Sequence, residues 1–135
     1  MVTSKAKGEK TEAIVLAELI KRDYIVLQPF GDNQRYDFVI DTKDGFKRLQ
    51  CKTGRFRNGS VQFNLASVAT NTKGSKLKNY KGQVDYFVVY CYENSKTYLV
   101  PEAIVGVSLC CLRVESLPKN ISVDRVNLAS DYELK

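Results

Sequence analysis

Three residues in the first half of the chain have the types and spacing for phosphoester chemistry. Asp37 lies in Arg35-Tyr36-Asp37-Phe38-Val39-Ile40, and Gln50 and Lys52 lie in Leu49-Gln50-Cys51-Lys52. Both stretches read as strands, and Asp44-Gly45 between them is a hairpin signal. Period two puts Gln50 and Lys52 on one face and Leu49 and Cys51 on the other. Asp37 can approach the Gln50/Lys52 face from the opposite arm. Glu12, from a helix upstream, joins them if that helix packs on the hairpin. An acid, an amide oxygen and a lysine suit a hard divalent ion such as Mg²⁺, which takes oxygen ligands. Such an ion lowers the pKa of a bound water and offsets charge on a scissile phosphate. A lysine beside it orients or deprotonates that water, or neutralises charge in the transition state.

The rest of the composition agrees. The chain has 135 residues and no histidine. That excludes His-based general-base catalysis, Ser-His-Asp and Cys-His triads and His-ligated zinc. A length of 135 residues fits one domain with a real core, spanning 1–135. The 21 Lys+Arg exceed 15 Asp+Glu by six, which favours a polyanionic partner. Cys51, Cys91, Cys110 and Cys111 form no C-x-x-C pair and sit in apolar runs, so they read as buried free thiols. This points to a reducing, intracellular (cytoplasmic) setting. The first ten residues are polar, and no apolar run reaches membrane-span length, so neither a secretory signal nor a membrane partner is expected.

The positioning elements follow from pattern. From about Gly8 to Arg22 the spacing predicts a helix with Ala13, Leu16, Ala17 and Ile20 as its apolar stripe. Thr3 or Ser4 caps it, and Glu9 and Glu12 sit toward its positive end. Strands are expected at Tyr24–Leu27, Tyr36–Asp41, Phe46–Phe56 and Val61–Leu65, with a turn at Pro29–Asn33. The stretch from about Ala66 to Gln83 reads as a loop, with at most one short helix. Val84–Tyr92 is the most apolar run and reads as a central strand, paired with Lys96–Val100 through a turn at Asn94-Ser95. Pro101-Glu102 opens a helical turn, and Leu109–Val114 is a final edge strand. The layout is α+β.

Gly8-x-x-x-Glu12, then Tyr36-Asp37, then Gln50-x-Lys52 resembles the PD-(D/E)xK nuclease superfamily. Pro29-Phe30-Gly31-Asp32-Asn33, Val84-Asp85-Tyr86-Phe87, Tyr98-Leu99-Val100-Pro101 and Tyr132-Glu133-Leu134 extend the likeness through most of the chain. They are similar to a small intron-encoded homing endonuclease group. Archaeal-type Holliday junction resolvases share the helix motif and are a more distant match. The resemblance implies a restriction-endonuclease-like core, a central mixed sheet flanked by helices. It implies a metal-dependent endodeoxyribonuclease, homing-type or otherwise site-specific, with junction resolution or a catalytically silent DNA-binding module as alternatives. Asp37 would be the principal ligand of Mg²⁺, with Mn²⁺ able to substitute. Lys52 would be the catalytic lysine, and Glu12 and the Cys51 main-chain carbonyl further ligands. Gln50 stands where most of the superfamily has Glu or Asp, which removes one negative charge. The Cys51 side chain should turn the other way, into the core.

The DNA, duplex or branched, is expected along two basic stretches. One is a loop carrying Arg55 and Arg57, and the other runs through Lys73, Lys76, Lys78 and Lys81. Gln34 and Arg35 lie beside Asp37, close enough to touch the backbone near the cut. One active site cuts one strand, so a homodimer or a dimer of dimers is expected, with Val105–Val114 as its interface.

Overall fold

The computed structural model describes residues 3–31, 34–65, 67–71, 74–78, 82–106, 108–117, 119–121 and 126–135, with side chains except at 4, 67–71 and 74–78. One α-helix, α1 (Ser4–Lys21), leads into a mixed sheet. Thr3 caps it: its hydroxyl accepts the Ala6 N–H at 3.1 Å. The helix begins a turn earlier than the sequence predicts, so Glu9 and Glu12 lie beyond its first turn, which holds no acid.

The strands are β1 (Ile25–Leu27), β2 (Phe38–Thr42), β3 (Gly45–Arg57), β4 (Ser60–Asn64), β5 (Ser67–Asn71), β6 (Gly74–Lys78), β7 (Tyr86–Cys91), β8 (Lys96–Pro101), β9 (Leu109–Arg113) and β10 (Asn127–Leu128). Eight of them form one sheet, in the order β1-β2-β3-β4-β9-β10, with β7 beside β3 and β8 beside β7. The β3–β7 pairing is parallel, as is β9–β10; the others are antiparallel. Thus the mixed sheet stands as expected, but α1 is the sole α-helix among the described residues.

β3 organises the molecule because it changes partners along its length. Its first part pairs with β2 as far as Leu49, and its last part pairs with β4 from Arg55. Leu49–Gly54 pair with β7, so that Leu49 is flanked by both β2 and β7. Asp85 locks the entry to β7 onto β3: its carboxylate takes the Arg48 main-chain N–H at 2.7 Å and the Arg48 guanidinium at 3.1 and 3.3 Å. Burial opposes the charge on Asp85, but these bonds and the Arg48 and Lys47 charges hold its carboxyl below the ordinary value.

Two apolar clusters lie on opposite faces of β3 and β7. α1 covers one, built from Val15, Leu19, Phe38, Ile40, Leu49 and Val88. The other packs Phe87, Val89 and Val100 against Val61, Phe63 and Leu112 of β4 and β9. The helix face differs from the expected stripe. Thr11, Val15 and Leu19 are buried, while Ala13, Ala17 and Ile20 are exposed, Ile20 to 56%. The i, i+4, i+8 row wins because Thr11, although polar, has its hydroxyl satisfied inside the interface.

Further expectations change. The stretch read as a loop contains the β5–β6 hairpin; its alternating Thr and Lys hide apolar periodicity. Arg55 and Arg57 lie on β3, not in a loop. Gly54 continues the strand because the packing is tight there: a Cβ would fall 2.9 Å from methyls of both Val61 and Val89. Cys111 is exposed, whereas Cys91 and Cys110 are buried; all four cysteines are free thiols. In the 105–114 stretch, expected as an interface, Cys110 and Leu112 are buried in the chain's own core, while Leu109 and Val114 are exposed. β9 is not an outer edge, since β10 pairs with it.

Candidate active site

Asp37 sits just before β2, where the chain is leaving the sheet. Its N–H donates to the Leu49 carbonyl at 2.8 Å, continuing the ladder by one bond. Its carboxylate then takes the place of the next main-chain partner and accepts the Cys51 N–H, also at 2.8 Å. The carboxylate is therefore held at the flank of β3 where strand pairing with β2 has stopped. An N–H and C=O of one strand residue leave on the same flank, so the Cys51 carbonyl shares this edge.

Glu12 reaches the same point from α1. Burial, then the charge of Asp37 and a hydrogen bond with it, then the charge of Glu9, push the Glu12 carboxyl up to about 7. Two carboxyl groups facing each other favour sharing a proton when no cation stands between them. The helix is pinned in this position by a hydroxyl cluster. Thr11 donates to the Lys7 carbonyl at 3.0 Å, so the Thr53 and Tyr92 hydroxyls, at 2.8 and 3.0 Å, donate to it. Lys7 and Lys10 lie over the Tyr92 ring at 5.3 and 5.5 Å.

A cavity of about 340 Å³ collects Glu12, Asp37, Gln50 and Cys51, with Lys5 and Gly8 on its rim. A second, of about 530 Å³, adjoins it through shared Gly8 and Thr53 and is lined by Lys7, Lys52, Arg55 and Arg57. A third, of about 350 Å³, lies across Glu12 and Asp37 and includes Gln34. A Cβ at Gly8 would meet nothing within 4 Å, so glycine is not needed there for packing. Its small size keeps the wall between the first two cavities low.

The structure thus brings together Glu12, Asp37, Gln50 and the Cys51 backbone. Lys52 lines the adjoining basic cavity, not the one holding Asp37, although both open along β3. The Cys51 side chain turns into the core on the helix side, as expected. It packs at the edge of the helix-side cluster, yet burial, the Asp37 and Glu12 charges and a hydrogen bond to Asp37 drive its thiol far above the usual range. The reason is that Asp37 lies along the flank of β3, not on one face, so it meets residues of both parities. Arg35 is half-buried and lines none of these three cavities. Lys76 and Lys78 are on β6, away from the main sheet's ladder. Lys73 and Lys81 lie outside the described residues. Sequence reasoning passed over Lys5 and Lys7. Their signal was the basic run ahead of Glu12, which becomes legible once Gly8 is seen as a groove wall.

The donor set fits a hard divalent ion. No group of three or more His, Cys, Asp and Glu side chains clusters among the described residues. An ion here would therefore rest on the Glu12 and Asp37 carboxylates, completed by the neutral oxygens of Gln50 and the Cys51 carbonyl. The raised Glu12 carboxyl is the mark of paired acids that a cation would relieve.

The site is thus a forked mixed sheet with an acid at the fork and a helix acid facing it. A profile of the PD-(D/E)XK endonuclease family matches residues 2–135. The chain belongs to that family. Its fold is similar to that of I-Ssp6803I, a bacterial homing endonuclease, with a TM-score of 0.74 at 23% identity. That match covers 97% of this chain and 88% of the other. No curated protein matches the chain by sequence. No helix among the described residues is long and apolar enough to cross a membrane.

Proposed function

We propose that this nuclease is a metal-dependent DNA endonuclease whose centre is Glu12, Asp37, Gln50, the Cys51 carbonyl and Lys52. The observation that carries this reading is the meeting of Glu12 and Asp37 at the unpaired flank of β3, beside a basic groove. Mg²⁺, or Mn²⁺ in its place, would polarise the scissile phosphate and acidify a water when bound. The chain's own part is preorganisation. The Cys51 N–H fixes the Asp37 carboxylate, and the Thr11 cluster fixes the helix that presents Glu12. Lys52, on the strand between the two cavities, neutralises charge on the phosphate or orients the attacking water. Lys7 carries a neighbouring phosphate, and Arg55 and Arg57 line the same basic wall. Gln34 borders the same acids from the third cavity, and Arg35 lies next to it.

Site-specific, homing-type cleavage is favoured because the similar solved structure is described as a bacterial homing endonuclease. Cutting both strands requires two copies, so the working form is a homodimer or a dimer of dimers. The test is a panel of plasmid, four-way junction and flap DNAs incubated with Mg²⁺ or Mn²⁺. Cutting at one long duplex site supports the homing reading. Symmetric nicks confined to junctions replace it with a resolvase. Binding without cleavage in either ion would reduce the chain to a silent DNA-binding module and implicate Gln50 in place of an acid.

A further inference from the structure

The second cavity continues past Lys52 onto a face that phosphate contacts alone do not explain. Arg55 and Arg57 project from the end of β3, and Arg55 is directly opposite Gln62 of β4. Asn64 follows two residues along on the same face, opposite Leu109 of β9. The alternate residues, Phe56, Val61 and Phe63, point into the core, so this set must point out. Leu109 is 47% exposed for the same reason. The polar ends of Arg55, Arg57, Gln62 and Asn64 make no hydrogen bond or ion pair with other described residues. The two strands are joined by a tight turn at Asn58-Gly59, both at positive φ, 51° and 77°. The result is an outward sheet face, shared by β3, β4 and β9, with a row of arginine, glutamine, asparagine and leucine.

We infer that the outer face formed by β3, β4 and β9 reads base edges in the major groove. This rests on the nuclease reading of the adjoining site. These side chains match the groove's donor and acceptor code. Arginine pairs with guanine, glutamine and asparagine pair with adenine, and an apolar side chain contacts the thymine methyl. Charge agrees, because Lys7, Lys52, Arg55 and Arg57 line one continuous wall facing the same polyanion. Geometry also locates the readout. Arg55 is four residues beyond Cys51 and Arg57 six, about 13 to 20 Å along a strand. At 3.4 Å per base pair, the bases read lie about four to six pairs from the cut phosphate.

The experiment is selection from a randomised duplex library by the full chain in EDTA, where binding alone is scored. The wild type is expected to enrich a short motif. The double variant Gln62→Ala, Asn64→Ala should lower the ratio of best-site to random-duplex affinity at least about tenfold, with information lost at particular positions. Lys7→Ala should weaken best-site and random duplexes alike, and lower the log–log salt slope by about 0.9, with the motif intact. An unchanged motif in the double variant overturns the inference. So does a wild type that binds and cuts duplexes with no motif, which leaves the nuclease reading standing. A chain that neither binds nor cuts any duplex, junction or flap DNA overturns both.

Discussion

Glu12 offers a way to see the paired acids without assaying cleavage. Its carboxyl is pushed from 4.5 up to about 7 in the folded chain, by burial first and then by Asp37. The folded protein therefore holds a proton that the unfolded chain releases between those values. Stability from this group is fully present below pH 4.5 and is lost as pH rises toward 7 and beyond. Taken whole, that displacement is worth about 3 kcal/mol, but Glu12 stays partly in solvent, and screening reduces it to about 1 kcal/mol. The window is unusually clean. With no histidine, the other ordinary groups in this range are the N-terminal amine and, near pH 8, the cysteine thiols. Urea unfolding in EDTA at pH 5 and pH 8 measures the effect, with Glu12→Gln as the reference that cancels these groups. The wild type should lose about 1 kcal/mol more than the variant over this range. Added Mg²⁺ at pH 8 should recover it, since a cation between Glu12 and Asp37 removes the repulsion. Equal pH slopes in wild type and variant would refute the pairing of the two acids.

Other consequences follow from the frame around the site. Gly54→Ala would set a Cβ 2.9 Å from the Val61 and Val89 methyls. The overpacking should cost about 1–3 kcal/mol, read as a lower urea midpoint; an unchanged midpoint would contradict the tight contact. Arg48→Ala removes the forked contact to Asp85 and the bond to the Gly82 carbonyl. Both side chains are half-exposed, so about 1 kcal/mol is expected. Arg48→Lys should not restore it, because a single ammonium cannot make both bonds. Thr11→Val keeps the shape but breaks the hydroxyl cluster that seats α1 on β3. It should lower cleavage more than it lowers DNA affinity, measured side by side; equal losses would mean that the cluster does not position Glu12.

Much of the frame could be read from residue patterns. The hairpin at Asp44-Gly45, the buried strand through Phe87–Cys91 and the turn at Asn94-Ser95 all combine strong periodicity with strong turn chemistry. The helix was legible but its buried face was not, because Thr11 is buried by hydrogen bonds that hydropathy does not register. Gly54 falls inside an expected strand, but only the packed sheet reveals the two valines that exclude a side chain there. In the site, Asp37, Gln50 and Glu12 were legible from spacing. The separation of Lys52 into the next cavity was not. Strand alternation sorts residues by face, whereas Asp37 is held at the strand's flank by the Cys51 N–H, a contact between residues 14 apart. The Arg48–Asp85 lock, 37 residues apart, carried no local signal either.

The most direct measurement is Mg²⁺-dependent plasmid cleavage by the wild type, Asp37→Ala and Lys52→Ala, with DNA binding measured on the same preparations. The account predicts that the wild type cuts and that EDTA stops it. Both variants should lose cleavage by at least about a hundredfold while still binding DNA. Cleavage at the wild-type rate by either variant would contradict the assignment of the centre.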